Sequence, residues 1–352
     1  MTVRVGIVGA SGYTGAELVR LVVGHPELQL EYVGAREKAG QRLGDVLPAT
    51  EGIASLCDRR LEAFEPQSAG ELAARVEVVF TALPHAASAR AGQALLEAGI
   101  RVVDLSADFR LTSAAVYEKW YGEHPAKALL GRAVYGLPEL HRAELHDARL
   151  IAAPGCYPTS SILPLAPLLS AGLVEPSGLV IDSKSGVSGA GRSAAPNTHF
   201  PETSEGMRAY KVAGTHRHLP EIEQELSRAA KLPVTVVFTP HLAPFSRGIL
   251  TTAYARAMRG TTAEQCREAA REQYREGLVT VLGEGRVPDT LWVRGSARAH
   301  VAYALDERAG VVVAMCAIDN LAKGASAQAI QALNVCLGHP DGLGLPQVGA
   351  FP

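Results

Sequence analysis

The sequence predicts an α/β protein in which a Rossmann-type, doubly wound domain is followed by a second, α+β domain. Three observations predict it. Short apolar runs alternate with helical stretches up to about residue 150, a glycine-rich turn joins the first run to the first helix, and beyond residue 150 the strands lengthen while helices become fewer.

Taken in order, RVGIVGA (4–10) reads as a buried strand and AELVRLVVG as the helix behind it. LQLEYVGA (28–35) is the second strand, VEVVFTAL (76–83) the third with the helix HAASARAGQALLEAG after it, and RVVDLS (101–106) the fourth. Continuous apolar runs rich in β-branched residues suit a parallel sheet covered on both faces. RLIAAPG (149–155) is a further strand entering a helix. After it come the longer strands GLVIDSKSGVSG, VTVVFTPHLA, RGILTTAYARA, RAHVAYALDE and GVVVAMCAI, with the helices HLPEIEQELSRAAK, TAEQCREAAREQYREG and ASAQAIQALNVCLG. That balance predicts a mixed or antiparallel sheet with helices on one face. The expected domains are therefore residues 1–150 and 151–320, with a last helix at about 321–340 packing back on the first domain. SKSGVSGAGRSAAPN (183–197) is too long for a simple turn and is expected to be a functional or disordered loop.

Composition excludes several classes. Of 352 residues, 47% are hydrophobic and 20% charged, a globular rather than a disordered balance. The formal charge of −2 gives no global basic field for nucleic acid or an anionic membrane. No apolar run approaches the roughly 20 residues that cross a bilayer. The opening MTVRVGIVGASGYTG enters a strand at once, without the regions of a signal peptide, so a cytoplasmic protein is expected. The five cysteines are scattered without a CxxC pair, which argues for neither a zinc site nor a disulfide framework, and no metal is expected.

Four motifs carry chemistry. GASGYTG (9–15) places Gly9, Gly12 and Gly15 between a strand and a helix, a variant of the dinucleotide fingerprint, with Ser11 and Thr14 adding hydroxyl donors. Such a turn lets a pyrophosphate approach the backbone at a helix N-terminus. The second strand runs into Arg36 where an NAD enzyme usually carries an acid, which favours the 2′-phosphate of NADP; the alternative is a solvated surface charge. In PGCYPT (154–159), Cys156 follows a buried strand and opens a helix, with Pro158 suited to its first turn. A thiolate there is stabilised by the helix dipole and free N–H groups. Cys57, Cys266, Cys316 and Cys336 lie in apolar or amphipathic stretches and read as filler. In GTHRHLPEI (214–222), His216 and His218 flank Arg217 ahead of a helix whose start is marked by Pro220 and Glu221. Histidine is the side chain suited to move a proton for a catalytic thiol near neutral pH. SADFR (106–110) and SGVSGAGR (185–192) are shaped for anions; the alternative for the former is an ion pair between Asp108 and Arg110. Asn320, at the end of an apolar strand, either meets a nicotinamide carboxamide or caps the next helix.

Together with ALPHA (82–86), YGLPEL (135–140), DLSADFRL (104–111) and AIDNLAKG (317–324), these blocks resemble, in order and over nearly the whole chain, the N-acetyl-gamma-glutamyl-phosphate reductase family of arginine biosynthesis. The resemblance implies a Rossmann domain plus a catalytic and oligomerisation domain of the semialdehyde and glyceraldehyde-phosphate dehydrogenase type. It implies Cys156 as nucleophile, His218 as acid/base, and NADP(H) as hydride source. The residues expected at the site are Gly9, Ser11, Gly12, Tyr13, Thr14, Gly15, Arg36, Ser185, Gly186 and Asn320 for the cofactor, and Arg110, Arg192 and His216 as candidates for a small acyl-phosphate substrate. A homodimer or homotetramer follows from the same resemblance. A sister branch acts on carrier-bound aminoadipyl phosphate and is expected to carry GCNAT around its cysteine; GCYPT (155–159) favours the glutamyl substrate. The rival readings are an aspartate-semialdehyde dehydrogenase and a dinucleotide-binding sensor that uses Cys156 as a redox switch.

Overall fold

Six strands near the N-terminus build a wholly parallel sheet. They are β1 (Val3–Val8), β2 (Leu28–Gly34), β3 (Val78–Thr81), β4 (Arg101–Asp104), β5 (Val134–Tyr135) and β6 (Leu150–Ala152), arranged β2-β1-β3-β4-β6-β5. The computed structural model describes residues 2–352. By internal contacts the chain falls into two units, one running to Pro154 and including Ser326–Leu345, the other Gly155–Ala325 with Pro346–Pro352.

In the first unit the apolar runs are buried as parallel strands should be, and Val79, Leu95, Ile100, Val102 and Phe109 lie in its core. Helices Tyr13–Val23 and Ala87–Glu97 follow β1 and β3. Helix Ala327–Cys336, which belongs to this unit, is buried all round although it carries Gln328, Gln331 and Asn334. Each amide makes a hydrogen bond, Gln328 Nε2 to the Gly136 carbonyl, Gln331 Nε2 to Glu139 and Asn334 Oδ1 to His25 Nε2, while Gln328 Oε1 is left without a partner among the described residues. Burial of such groups is tolerable only with partners of this kind.

The second unit holds a seven-stranded mixed sheet, ordered β11-β12-β13-β10-β7-β9-β8. Its strands are β7 (Leu179–Gly186), β8 (Arg208–Ala209), β9 (Val236–Ala243), β10 (Ile249–Arg256), β11 (Val279–Val281), β12 (Ala299–Asp306) and β13 (Val311–Ile318). Pairs β7–β9 and β11–β12 are parallel and the remainder antiparallel. Alternate residues of β7, β9 and β10 are buried, and helices Cys156–Ser170, Leu219–Ala230 and Ala263–Gln273 pack on the sheet. Helix Cys156–Ser170 is buried on every side and continues through Pro164 and Pro167. Pro167 cannot donate to the carbonyl of Leu163 four residues back, and the Tyr274 hydroxyl donates to that carbonyl instead, at 2.6 Å.

Several expectations change in detail. Residues 183–186 of the supposed loop continue β7, and Val187–Ala190 form a short 3₁₀ turn. The last helix is preceded by a π turn over Ala322–Ser326. Helices Ala114–Tyr121 and Pro138–Leu145, strands β5, β8 and β11, and the short helical turns between residues 43 and 73 have no counterpart in the sequence reading. No described helix is long and apolar enough to cross a membrane.

Candidate active site

The glycine turn joins β1 to helix Tyr13–Val23. Gly9 has φ +99, and a Cβ there would lie 2.3 Å from the Ala82 carbonyl oxygen; a Cβ on Gly15 would lie 2.2 Å from the Gly9 oxygen. Both glycines are demanded by close backbone approach. Gly12, the N-cap, differs: a Cβ there meets nothing nearer than 4.0 Å, so its side of the turn is open. An open backbone at a helix start, with the first-turn amides of the helix unbonded within it, fits a pyrophosphate. Ser11 and Thr14 are half-buried beside it and Tyr13 is exposed. Arg36 is exposed two residues past β2.

In the second unit, Cys156 is the first residue of helix Cys156–Ser170 and Gly155 its N-cap. The helix start follows from Gly155 in extended conformation and from Pro158, whose missing N–H lies among the unbonded ones of a first turn. Cys156 is half-buried, whereas the other four cysteines are buried. Burial pushes the thiol of Cys266 up to about 11 and those of Cys316 and Cys336 upward too, which leaves them poor nucleophiles. Behind Cys156 stands Gly324, within the π turn, where a Cβ would come within 2.8 Å of Cys156 Cβ.

His216 and His218 lie in an aromatic cluster with Tyr157, the residue after Cys156. The Tyr157 ring is 5.4 Å from His216, 6.0 Å from His218 and 5.4 Å from Phe238. The two imidazoles are 5.0 Å apart. Tyr210 donates to the Tyr157 hydroxyl at 3.1 Å, and Tyr157 donates to the His241 carbonyl. Burial pushes both phenols upward, Tyr210 to about 12, and the neighbouring Cys156 adds to the push. His216 is 8% exposed, and its Nδ1 accepts the His218 backbone N–H at 3.2 Å. Burial, with Lys211 and Arg217 adding to it, lowers the His216 pKa to about 4. At neutral pH His216 is therefore uncharged.

That shift has a stability consequence. The folded state holds His216 neutral where the unfolded chain, near pKa 6.5, takes up a proton. The contribution is thus complete above about pH 6.5 and is lost as pH falls toward 4. Between about pH 7 and pH 5 the wild type is expected to lose roughly 2 kcal/mol more stability than His216→Gln, read from urea midpoints. Parallel losses in the two proteins would refute it.

The anion-shaped segments resolve unevenly. Asp104 and Asp108 are fully buried. Asp104 accepts from Thr81, Ser88 and Ser106, while Asp108 accepts from the Tyr117 hydroxyl at 2.6 Å and the Ala89 N–H at 2.8 Å. SADFR is thus an internal polar network that secures the start of helix Ala87–Glu97. Arg110 is buried and donates to the carbonyls of Ala153 and Leu105, both at 2.8 Å. Arg192 is exposed. Ser185 is buried and donates to the Gly186 carbonyl at 3.0 Å. The Asn320 amide is engaged at both ends: Oδ1 accepts the Gly248 N–H at 2.7 Å and Nδ2 donates to Ser188 Oγ at 2.9 Å. The capping expected of Asn320 belongs to its neighbour, since Asp319 Oδ1 accepts the N–H groups of Leu321 and Ala322. Asp319 also pairs with Arg247 at 2.9 Å. Among the described residues no cluster of metal-ligating side chains occurs.

Comparison with known proteins decides the family. Residues 4–148 match the family described as "Semialdehyde dehydrogenase, NAD binding domain" and residues 156–320 match "Semialdehyde dehydrogenase, dimerisation domain". The chain is 51% identical to the N-acetyl-gamma-glutamyl-phosphate reductase of Syntrophobacter fumaroxidans over 342 residues, covering 97% of each chain. It is 47% identical to that of Geobacter sulfurreducens, covering 99% of each. The chain belongs to the N-acetyl-gamma-glutamyl-phosphate reductase family, within the semialdehyde dehydrogenases. Its fold is that of aspartate semialdehyde dehydrogenase II from Vibrio cholerae, with a TM-score of 0.71 at 16% identity, over 96% of this chain and 99% of that one. The aspartate semialdehyde dehydrogenase from Candida albicans, solved with NADP, has a TM-score of 0.69 at 15% identity, over 95% and 98%.

In this reductase-family chain, Tyr157, Tyr210 and Gly324 near Cys156 have no role in the sequence reading, and Glu221 has only that of a helix start. Tyr157 and Gly324 lay inside the quoted blocks, but only coordinates reveal the ring cluster and the close approach. Tyr210 lay outside every block. Glu221 reads as an ordinary acidic helix start, yet its Oε1 accepts the Gly155 N–H at 2.9 Å.

Proposed function

We propose that the protein reduces N-acetyl-L-glutamyl 5-phosphate to N-acetyl-L-glutamate 5-semialdehyde and phosphate, with NADPH, in L-arginine biosynthesis in the cytoplasm. The observation that carries the reading is the setting of Cys156: the one half-buried thiol, at the first residue of a helix, in a chain nearly half identical to reductases of that name.

The residues divide the chemistry. Cys156, as thiolate, attacks the acyl carbon; its sulfur–carbon bond forms as the carbon–phosphate oxygen bond breaks and phosphate leaves. Amides of the helix's first turn stabilise the thiolate and the oxygen of the tetrahedral adduct. His218 takes the thiol proton, gives a proton to the alkoxide of the reduced thioester, and takes that proton back as the carbon–oxygen double bond forms, the carbon–sulfur bond breaks, Cys156 leaves as thiolate and the aldehyde departs. A reduced nicotinamide, when bound, supplies the hydride that converts the thioester. Gly9, Ser11, Gly12, Tyr13, Thr14 and Gly15 would hold its pyrophosphate side and Arg36 a 2′-phosphate, so NADP is preferred to NAD. Ser185, Gly186 and Asn320 are assigned to the nicotinamide end. Arg110, Arg192 and neutral His216 are assigned to substrate, with Arg110 acting through the Ala153 carbonyl just ahead of the nucleophile.

The decisive experiment is the reverse reaction: N-acetylglutamate semialdehyde, phosphate and NADP⁺, followed by NADPH absorbance, with NAD⁺ compared in parallel. Phosphate-dependent NADPH formation supports the reading. Turnover only of the aminoadipate or aspartate counterpart moves the substrate and keeps the chemistry. Silence with all three, despite NADPH binding, would replace the enzyme by a sensor.

The oligomer is proposed to be a homodimer or homotetramer built on the sheet face opposite the helices. Val313, Tyr254, Val180 and Val237 are cross-strand neighbours on β13, β10, β7 and β9, and Val237 is 57% exposed. Such an apolar row across four strands marks an association surface. Val180→Glu combined with Val237→Glu is expected to lower the mass measured by light scattering to that of a monomer, with the circular dichroism unchanged. An unaltered mass would place the interface elsewhere.

A further inference from the structure

We infer that the amino-terminal edge of the parallel sheet carries a second small-molecule site, fitted to an aliphatic carboxylate and independent of the reaction proposed above. In a wholly parallel sheet the strands present their carboxyl ends on one edge, where the glycine turn follows β1. Ligands of such sheets normally gather there. The cavity in question lies on the other edge. Leu150 opens β6 and Arg149 precedes it, while Leu96 and Glu97 end helix Ala87–Glu97, which runs back from the carboxyl end of β3 to the amino end of β4. The 3₁₀ turn Lys127–Leu129 supplies a further wall. Its volume is about 530 Å³. Small-molecule pockets hold roughly 300–1,000 Å³. All of its lining belongs to the first unit.

The lining has two chemistries. Ala126, Leu129 and Leu150 belong to the unit's hydrophobic core, and Leu96 packs against it. A methylene chain laid there meets the surface that the core otherwise buries. No aromatic side chain lines the cavity, so a nucleotide base would find no ring to stack on. The charged part of the lining sets Lys127, Arg132 and Arg149 against Glu97. These cations are not equally available. Lys127 pairs with Glu118 at 2.5 Å, and Arg149 donates one Nη2 bond to the Gly99 carbonyl. Glu97 accepts the Gln93 amide at 2.9 Å. The Arg132 side chain has neither hydrogen bond nor ion pair among the described residues. A guanidinium offers five donors in a fork that matches a carboxylate. Arg132 therefore brings all of its donors to the cavity, and Arg149 all but one. The formal charge of the whole chain is −2, so this cationic surplus is local. An arginine fork beside an aliphatic wall suits a ligand with a carboxylate at one end and a hydrocarbon chain behind it.

The test is a saturation-transfer NMR titration of the full chain with hexanoate. Hexan-1-ol keeps the hydrocarbon chain without the charge, and acetate keeps the charge without the chain. Hexanoate is expected to bind with a dissociation constant of about 1 mM or tighter. Hexan-1-ol and acetate should bind at least about tenfold more weakly. Two variants locate the signal, with circular dichroism as the check on folding. Arg132→Gln should weaken hexanoate about five- to tenfold and leave hexan-1-ol unchanged. Ala128→Trp, on the exposed rim of the cavity, fills it and should abolish the binding of both. Equal affinity of hexanoate and hexan-1-ol, or of hexanoate and acetate, overturns the inference, because one of the two chemistries would then be idle. Hexanoate binding unaltered in both variants also overturns it and places the ligand elsewhere. If Ala128→Trp does not fold, an Arg132→Gln variant with wild-type affinity for hexanoate is enough to reject the site.

Discussion

Cys156→Ser is expected to leave the fold intact and reduce turnover by roughly 10⁴-fold or more, the scale seen when a covalent nucleophile is removed. The reason is chemical rather than structural. Serine fits wherever cysteine does, so the close approach to Gly324 and the helix start are kept. The hydroxyl, however, stays protonated at neutral pH even where a helix N-terminus favours the anion, whereas a thiol needs only a modest downward shift to ionise. The other cysteines are poor substitutes, because all four are buried and burial raises the thiols of Cys266, Cys316 and Cys336. The check is kcat of the purified variant beside its thermal melt and its affinity for NADPH. Retention of more than a hundredth of wild-type turnover, with melt and affinity unchanged, would remove Cys156 from the chemistry.

What was legible in the sequence was whatever depends on local pattern. Val3–Val8 and Val78–Thr81 declare themselves because strands of a covered parallel sheet are largely apolar, Val311–Ile318 because it is an unbroken apolar run, and the glycine turn because its backbone tolerates little else. What remained hidden depends on which way a polar side chain faces. SADFR reads equally well as an anion site or as an ion pair between Asp108 and Arg110, and only the bonds from the Tyr117 hydroxyl and the Ala89 N–H show Asp108 turned inward. Asn320 and Asp319 are adjacent, and sequence offers no reason to give the capping to one rather than the other; their hydrogen bonds do. Short elements such as Val134–Tyr135 carry too few residues to show a period. Glu221 is the sharpest instance, since its partner is 66 residues away and no spacing rule connects them.

His218→Gln is the second large effect expected, and it separates the two duties proposed for the imidazole. Glutamine keeps a hydrogen-bonding group of similar reach but cannot titrate near neutrality. The backbone should be little disturbed, because the His218 N–H remains available to His216 Nδ1 and the helix start is set by Pro220 and the bonds of the following residues. A general acid/base contributes about 10²- to 10⁴-fold, and kcat at neutral pH is expected to fall by that amount. The pH dependence should then divide. Acylation, followed as the rapid release of phosphate in the forward direction, needs His218 only to take the thiol proton, so alkali that ionises Cys156 directly should restore it. Reduction to the aldehyde needs a proton delivered to the developing alkoxide, and alkali removes rather than supplies donors, so that step should stay slow at every pH. The variant is therefore expected to accumulate the thioester at high pH, visible as an intact-mass increase equal to the acyl group. Full recovery of steady-state turnover in alkali would confine His218 to activating the thiol and leave the alkoxide to another donor. Unchanged acylation and reduction at neutral pH would transfer both duties elsewhere; His216, held neutral with its Nδ1 already accepting the His218 N–H, is poorly placed to assume them.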